Sequence, residues 1–196
     1  CWSEGVKPEL TWINSQQFED NPKEISQLEK FDGIVVPGGF GGRSTEGILR
    51  TIEYARTNKI PYLGLCYGMQ LACIEFARNV AGIQGAGSVE IDESISDPII
   101  KLNDLQASNV NEKKFGATMR LGSYDAQLKA GSKTHAAYGE DVVSERHRHR
   151  YEFNNDYRDL LEKKGLDIVG INPDTNLVEI VEIQDHPFFV GTQFHP

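Results

Sequence analysis

An α/β fold, with parallel strands joined by crossover helices and antiparallel strands added to them, is predicted by three features of the chain. From Phe31 to Val80 strand-like and helix-like patterns alternate, which is the signature of parallel strands with helical crossovers. Three further strand-like pieces follow in the second half with only one helical pattern among them. Of 196 residues, 39% are apolar and 25% charged, the composition of a globular chain of one domain's mass that can bury about 70% of its unfolded surface.

Leu10 to Ile13 reads as a short strand and Pro22 to Lys30 as a short helix. Phe31 to Val36 (FDGIVV) is a buried strand ending in the turn Pro37-Gly38-Gly39. Thr45 to Thr57 carries Ile48, Ile52 and Ala55 at helical spacing, Ile60 to Leu65 is a second buried strand, and Met69 to Val80 is helical through Leu71, Ile74, Ala77 and Val80. Ser94 to Phe115 is polar and turn-rich. Val142-Val143, Asp167 to Ile171 and Leu177 to Ile183 are strand-like, Tyr157 to Lys164 is helical, and Phe188 to Phe194 closes the chain with an apolar strand.

The charge balance, 20 Lys+Arg against 29 Asp+Glu, gives a net −9 and a field that repels polyanions, which argues against nucleic acid or an anionic membrane as partner. No apolar run approaches the roughly 20 residues of a membrane span, and CWSEGVKPEL has no secretory pattern. Cys1, Cys66 and Cys73 form no CxxC pair, so a disulfide framework or a zinc knuckle is not expected and a reducing cytoplasm is.

Two glycine-rich turns stand out. Pro37 to Arg43 (PGGFGGR) lacks the spacing of a phosphate loop or a dinucleotide fingerprint, but its glycines free the backbone to aim N–H groups into a cleft; an oxyanion hole and a plain tight turn both fit. Gly64-Leu65-Cys66-Tyr67-Gly68, between a buried strand and a helix, is the thiol form of a nucleophile elbow. Cys66 would stand at a helix N-terminus, where the dipole favours the thiolate, while Cys73 points into the core.

A cysteine nucleophile needs a base, and the histidines are His135, His147, His149, His186 and His195. His195 follows the last strand and emerges at the edge that carries Cys66 if the strands are parallel. His186 and Asp185 precede that strand and would lie about 25 Å away, at about 3.3 Å per residue. The run Glu145 to Glu152 (ERHRHRYE) has the character of a small-anion site, with a carboxylate the natural guess because arginine's fork matches it.

VPGGF (Val36 to Phe40), GLCYGMQLA (Gly64 to Ala72) and FVGTQFHP (Phe189 to Pro196) together resemble the class I, triad-type glutamine amidotransferases. IEFARNV (Ile74 to Val80), ATMRLG (Ala117 to Gly122), ERHRHRYE and DHPFFVGTQFHP (Asp185 to Pro196) narrow the resemblance to the glutaminase domain of CTP synthases, over most of the chain. Tyr67 stands where that group usually has leucine and Ala117 where it has glycine, and CYGMQ is closer to the glutaminase of GMP synthetases. The same chemistry in another amidotransferase, and a non-catalytic domain of the same fold, remain alternatives.

The resemblance implies a three-layer, flavodoxin-like fold with a mostly parallel central sheet and added antiparallel strands. It implies Cys66 as nucleophile, His195 as base, and the backbone N–H groups of Gly39 and Tyr67 as oxyanion hole. Gly39, Tyr67, Gly68, Met69, Gln70, Glu90 and Arg150 match positions that hold L-glutamine. No metal or cofactor is implied for this domain; ATP, Mg and UTP belong to a separate synthetase domain, with GTP as activator and a homo-oligomer as the assembled enzyme. By the same pattern residues 1–196 are one glutaminase domain cut at both ends, with a strand and helix expected ahead of Ser3 and a triad glutamate after Pro196.

Overall fold

The computed structural model describes residues 4–102 and 119–196. Cys1, Trp2, Ala117 and most of the polar stretch from 103 onward lie outside the described residues. Among the described residues, helices and strands of regular form follow one another as α1 (Gln16–Asp20), β1 (Ile34–Val36), α2 (Thr45–Thr57), β2 (Tyr62–Leu65), α3 (Tyr67–Asn79), β3 (Ala86–Ser88), β4 (Asp97–Leu102), β5 (Arg120–Leu128), α4 (Lys133–Tyr138), β6 (Val142–His149), β7 (Tyr151–Phe153), α5 (Arg158–Glu162), β8 (Leu166–Ile171), β9 (Val178–Ile183) and β10 (Phe189–Thr192).

Seven strands form one sheet in the order β1-β2-β10-β9-β8-β5-β6, and β3, β4 and β7 form a second, smaller one. β1, β2 and β10 run parallel, and the pairings from β10 outward to β6 are antiparallel. The α/β class with antiparallel additions is therefore what the chain adopts. Successive residues of the strands feed opposite faces, as the period of two requires. Ile168, Val181 and Phe189 join the core under α2, α3 and α5, whereas Val169, Ile180 and Val190 pack on the other face with Val143, Phe194 and, from α4, Tyr138.

Several expected elements differ. Leu10 to Ile13 is not a strand: Leu10 and Trp12 are exposed, and no described strand pairs with them. Pro22–Lys30 is helical but of the tighter 3-10 form, with Pro22 in its first turn, where a missing N–H costs nothing. The strand expected at Val142-Val143 continues to His149, and β3, β4, β5, β7, α1 and α4 were not expected at all. No helix among the described residues is long and apolar enough to cross a membrane.

Candidate active site

β2 delivers the chain to Cys66 and α3 leaves from it. Cys66 is the N-cap of α3, with φ 51° and ψ −99°. A positive φ in a residue with a side chain costs on the order of 1–3 kcal/mol and persists only where the surroundings impose it. Here both flanking glycines impose it by close approach. A Cβ on Gly68 would stand 2.3 Å from the Val36 carbonyl oxygen, and one on Gly64 would stand 2.7 Å from the Tyr62 hydroxyl and 2.8 Å from the Gly68 carbonyl carbon. The first turn of α3 is thus pressed onto β1, and the Tyr62 hydroxyl donates to the Gly68 carbonyl at 2.9 Å. The Cys66 N–H donates to the Thr192 carbonyl of β10 at 2.7 Å, and the Cys66 carbonyl accepts the Gln70 N–H at 3.1 Å.

Cys66 is only 6% exposed. Burial pushes its thiol up to about 11, against the opposing pull of the Tyr67 backbone N–H; Glu90 and Glu152 raise it further and the Gln193 amide lowers it. The helix N-terminus alone predicts an easier thiolate; desolvation outweighs it, and the resting group at neutral pH is a thiol that needs a base. Cys73 is fully buried in the core and pushed up to about 12, as its helix face predicts.

The expected base, His195, lies on the same edge of the sheet. β10 runs parallel to β2 with Gly191 opposite Gly64 and Thr192 opposite Leu65, so His195 emerges at the edge that carries Cys66. The His195 N–H donates to the Arg146 carbonyl at 2.9 Å, and its imidazole lies against the glycine turn: a Cβ on Gly38 would stand 2.7 Å from Cε1. Burial, then the nearby Arg146 and Arg148, lower the His195 pKa from its ordinary value, so the ring is a neutral proton acceptor at neutral pH. The other histidines are committed elsewhere. His186 sits at the far end of β10, its Nε2 with the Ala55 carbonyl at 3.1 Å, and His135 faces Asp141 at 2.9 Å.

The residues expected around glutamine converge from four elements. Gly39 lies over the Tyr67 ring, where an added Cβ would meet Cδ1 at 3.2 Å. The Tyr67 hydroxyl donates to the Gly41 carbonyl and lies 3.3 Å from the Thr45 hydroxyl, so the tyrosine ties the start of α3 to the glycine turn. Glu90 accepts the Gly41 N–H at 3.2 Å; burial raises its pKa, and Gly41 and the Arg150 guanidinium oppose the rise. The Arg150 Nε is buried without an acceptor among the described residues. Gln70 donates through Nε2 both to the Tyr151 carbonyl at 3.0 Å and to Gln193 Oε1 at 3.1 Å, which leaves its own oxygen as the group it can offer a ligand. Gly68 and Met69 are different. Gly68 is packed against Val36, and Met69 is fully buried under Gly191, so neither presents a side chain to the site.

The ERHRHRYE run does not act as one cationic patch. Along β6 the burial alternates: Arg146 and Arg148 are exposed, while His147 and His149 face inward, 2.8 Å apart through Nδ1 and Nε2. Burial, with Arg120 beside them, lowers both histidines to about 3, so they are uncharged at neutral pH. They line a buried cluster in which Arg120 donates to Glu179 at 2.7 Å and lies 3.4 Å from both Glu152 oxygens. Burial raises Glu152 to about 8 despite that arginine. Of the basic run only Arg150 reaches the Glu90 side of the site. Gln193 goes unmarked in the sequence: it stands two residues before His195, but the chain bends at Gln193 and Phe194, so no strand period points to it.

Comparison with known proteins identifies the family. A family model described as glutamine amidotransferase class-I matches residues 2–196. A CTP synthase of Caldanaerobacter subterraneus subsp. tengcongensis is 55% identical over 188 residues, covering 95% of this chain and 34% of that protein. A CTP synthase of Acidobacterium capsulatum is 53% identical over 195 residues, 99% of this chain and 35% of that protein. The chain thus spans about a third of the length of the CTP synthases it matches. Among solved structures, the glutaminase domain of Trypanosoma brucei CTPS with bound acivicin superposes with a TM-score of 0.91 at 36% identity, covering 99% of this chain and 75% of that one. A candidate GMP synthase component from Thermoplasma acidophilum, at a TM-score of 0.58, 15% identity and coverage of 97% and 81%, shares the fold. The chain belongs to the class I glutamine amidotransferases, as a glutaminase domain of the CTP synthase kind.

Proposed function

We propose that the domain hydrolyses L-glutamine to glutamate and ammonia through a thioester on Cys66. The observation that carries this reading is the strained Cys66 at the start of α3, set on the same sheet edge as the His195 imidazole and beside the Gly38-Gly39 turn. His195 takes the Cys66 proton, and the sulfur attacks the carbon of the substrate's side-chain amide. The backbone N–H groups of Gly39 and Tyr67 hold the oxyanion, each such donor contributing about 3 kcal/mol to the transition state. The C–N bond breaks as His195 returns the proton to the departing ammonia. A water, deprotonated by His195, then attacks the thioester; glutamate leaves and the thiolate recovers its proton.

Recognition of the amino-acid end follows from the same residues. Arg150 offers its buried Nε–H to the α-carboxylate, and Gln70 Oε1 and the Glu90 carboxylate accept from the α-ammonium. In a longer protein of the CTP synthase kind the ammonia aminates UTP in a synthetase domain that uses ATP and Mg, with GTP as activator, in a cytoplasmic homo-oligomer. The similarity to CTP synthases supports that assignment over GMP synthetase, for which the likeness is one of fold.

A glutamine-like electrophile tests the chemistry. One adduct, on Cys66, blocked by excess glutamine, is expected by peptide mass spectrometry, with glutamate release lost in Cys66→Ser. Equal labelling of Cys73, or no adduct, overturns the reading and leaves a non-catalytic domain of this fold.

A further inference from the structure

We propose that Gln193 is a further catalytic residue of this centre: its side-chain N–H donates to Cys66 Sγ, holding the sulfur in place and receiving the charge whenever the sulfur is a thiolate. The proposal rests on Cys66 being the nucleophile. Gln193 is fully buried, and its Nε2 stands 3.6 Å from Sγ. It cannot drift from there, because its own N–H is bonded to the Glu179 carbonyl at 2.8 Å and its neighbours Thr192 and His195 are bonded to Cys66 and Arg146.

Which end of the amide faces sulfur follows from a chain of partners that begins at a backbone carbonyl. The Tyr151 carbonyl can only accept, so the Gln70 group 3.0 Å from it is the NH2. That NH2 also lies 3.1 Å from Gln193, so the facing Gln193 atom is the oxygen. The remaining end, turned to Sγ, is therefore the donor; the flipped amide would set two NH2 groups against each other. Gln70 and Tyr151 are the positioning residues of this arrangement.

A donor at this place acts selectively along the reaction. A thiol or thioester sulfur is a weak acceptor and a thiolate a strong, charge-assisted one. The bond is thus strongest when the Cys66 proton has moved to His195 and again when the sulfur leaves as thiolate during thioester hydrolysis. It is weakest in the acyl-enzyme between them. One short stretch of chain, Gln193 to His195, delivers both the donor and the base, bending at Gln193 and Phe194, while Phe194 between them is buried in the core.

The test is the pH profile of Cys66 alkylation by iodoacetamide in the full chain, with Gln193→Met, which keeps the length of the side chain and removes the donor. Alkylation at neutral pH is expected to slow roughly tenfold and its inflection to move to higher pH, since a bond to a charged group is lost. Gln193→Glu, of equal volume and unable to donate as a carboxylate, moves the inflection further the same way and serves if the methionine variant does not fold. A purely structural role would instead lower the melting temperature and expose Cys73 without moving the profile. An unchanged profile in either folded variant overturns the proposal, and a parent protein whose Cys66 shows no glutamine-protected labelling overturns the nucleophile reading beneath it.

Discussion

A Cβ on Gly38 would stand 2.7 Å from Cε1 of His195, and the group it would displace is the far end of a half-buried side chain rather than backbone. Gly38→Ala is therefore expected to leave the melting temperature nearly unchanged while pushing the imidazole out of its place against the glycine turn. A catalytic group misplaced by about 1 Å costs on the order of a hundredfold in rate, so glutaminase kcat should fall by about that factor with little change in KM. A loss of stability comparable to that of a core mutation would count against this account. The contrast with Gly68 is instructive: there the added carbon would meet the Val36 carbonyl at 2.3 Å, and the backbone cannot step aside.

Between elements, α2 and α3 are pinned by an ion pair whose acid is buried. Arg56 reaches both oxygens of Glu75 through Nε, at 3.1 and 2.9 Å, and through its terminal nitrogen at 2.6 Å; Glu75 is 1% exposed and also accepts from Asn79. Arg56→Met leaves that carboxylate without its cation and is expected to cost about 3 kcal/mol in denaturant unfolding, most of which the double variant with Glu75→Leu regains. Elements of this kind also show what the sequence could display. The elbow at Cys66 is legible because strand, glycines, cysteine and helix are contiguous. β6 is not, beyond Val142-Val143, although its exposure alternates residue by residue. Its inner face carries His147 and His149, which meet the Arg120, Glu152 and Glu179 cluster, so no apolar period marks the strand. Gln193 escapes notice for a related reason: its role is fixed by Gln70 and Tyr151, which are distant in the chain.

For the molecule as a whole that polar cluster shapes the dependence of stability on pH. His147 and His149 are near 3 when folded and near 6.5 when unfolded, so the unfolded chain binds more protons in between. The stability they contribute is complete above 6.5 and is lost as pH falls toward 3. Glu152 has the opposite sign: near 8 folded and 4.5 unfolded, its contribution is complete below 4.5 and is lost as pH rises from there through 8. The pH dependence of the melting temperature should accordingly flatten between pH 3 and 6.5 in His149→Gln and between pH 4.5 and 8 in Glu152→Gln, each relative to the parent. Parallel pH curves for parent and variants would show that the cluster is not titrating on unfolding. The strain at Cys66 has a second global consequence. Glycine suits a φ of 51° and alanine does not, so Cys66→Gly is expected to be about 1 kcal/mol more stable than Cys66→Ala by thermal unfolding. Under the proposed chemistry, the turn at Cys66 gives up stability to hold a sulfur at the edge of the sheet.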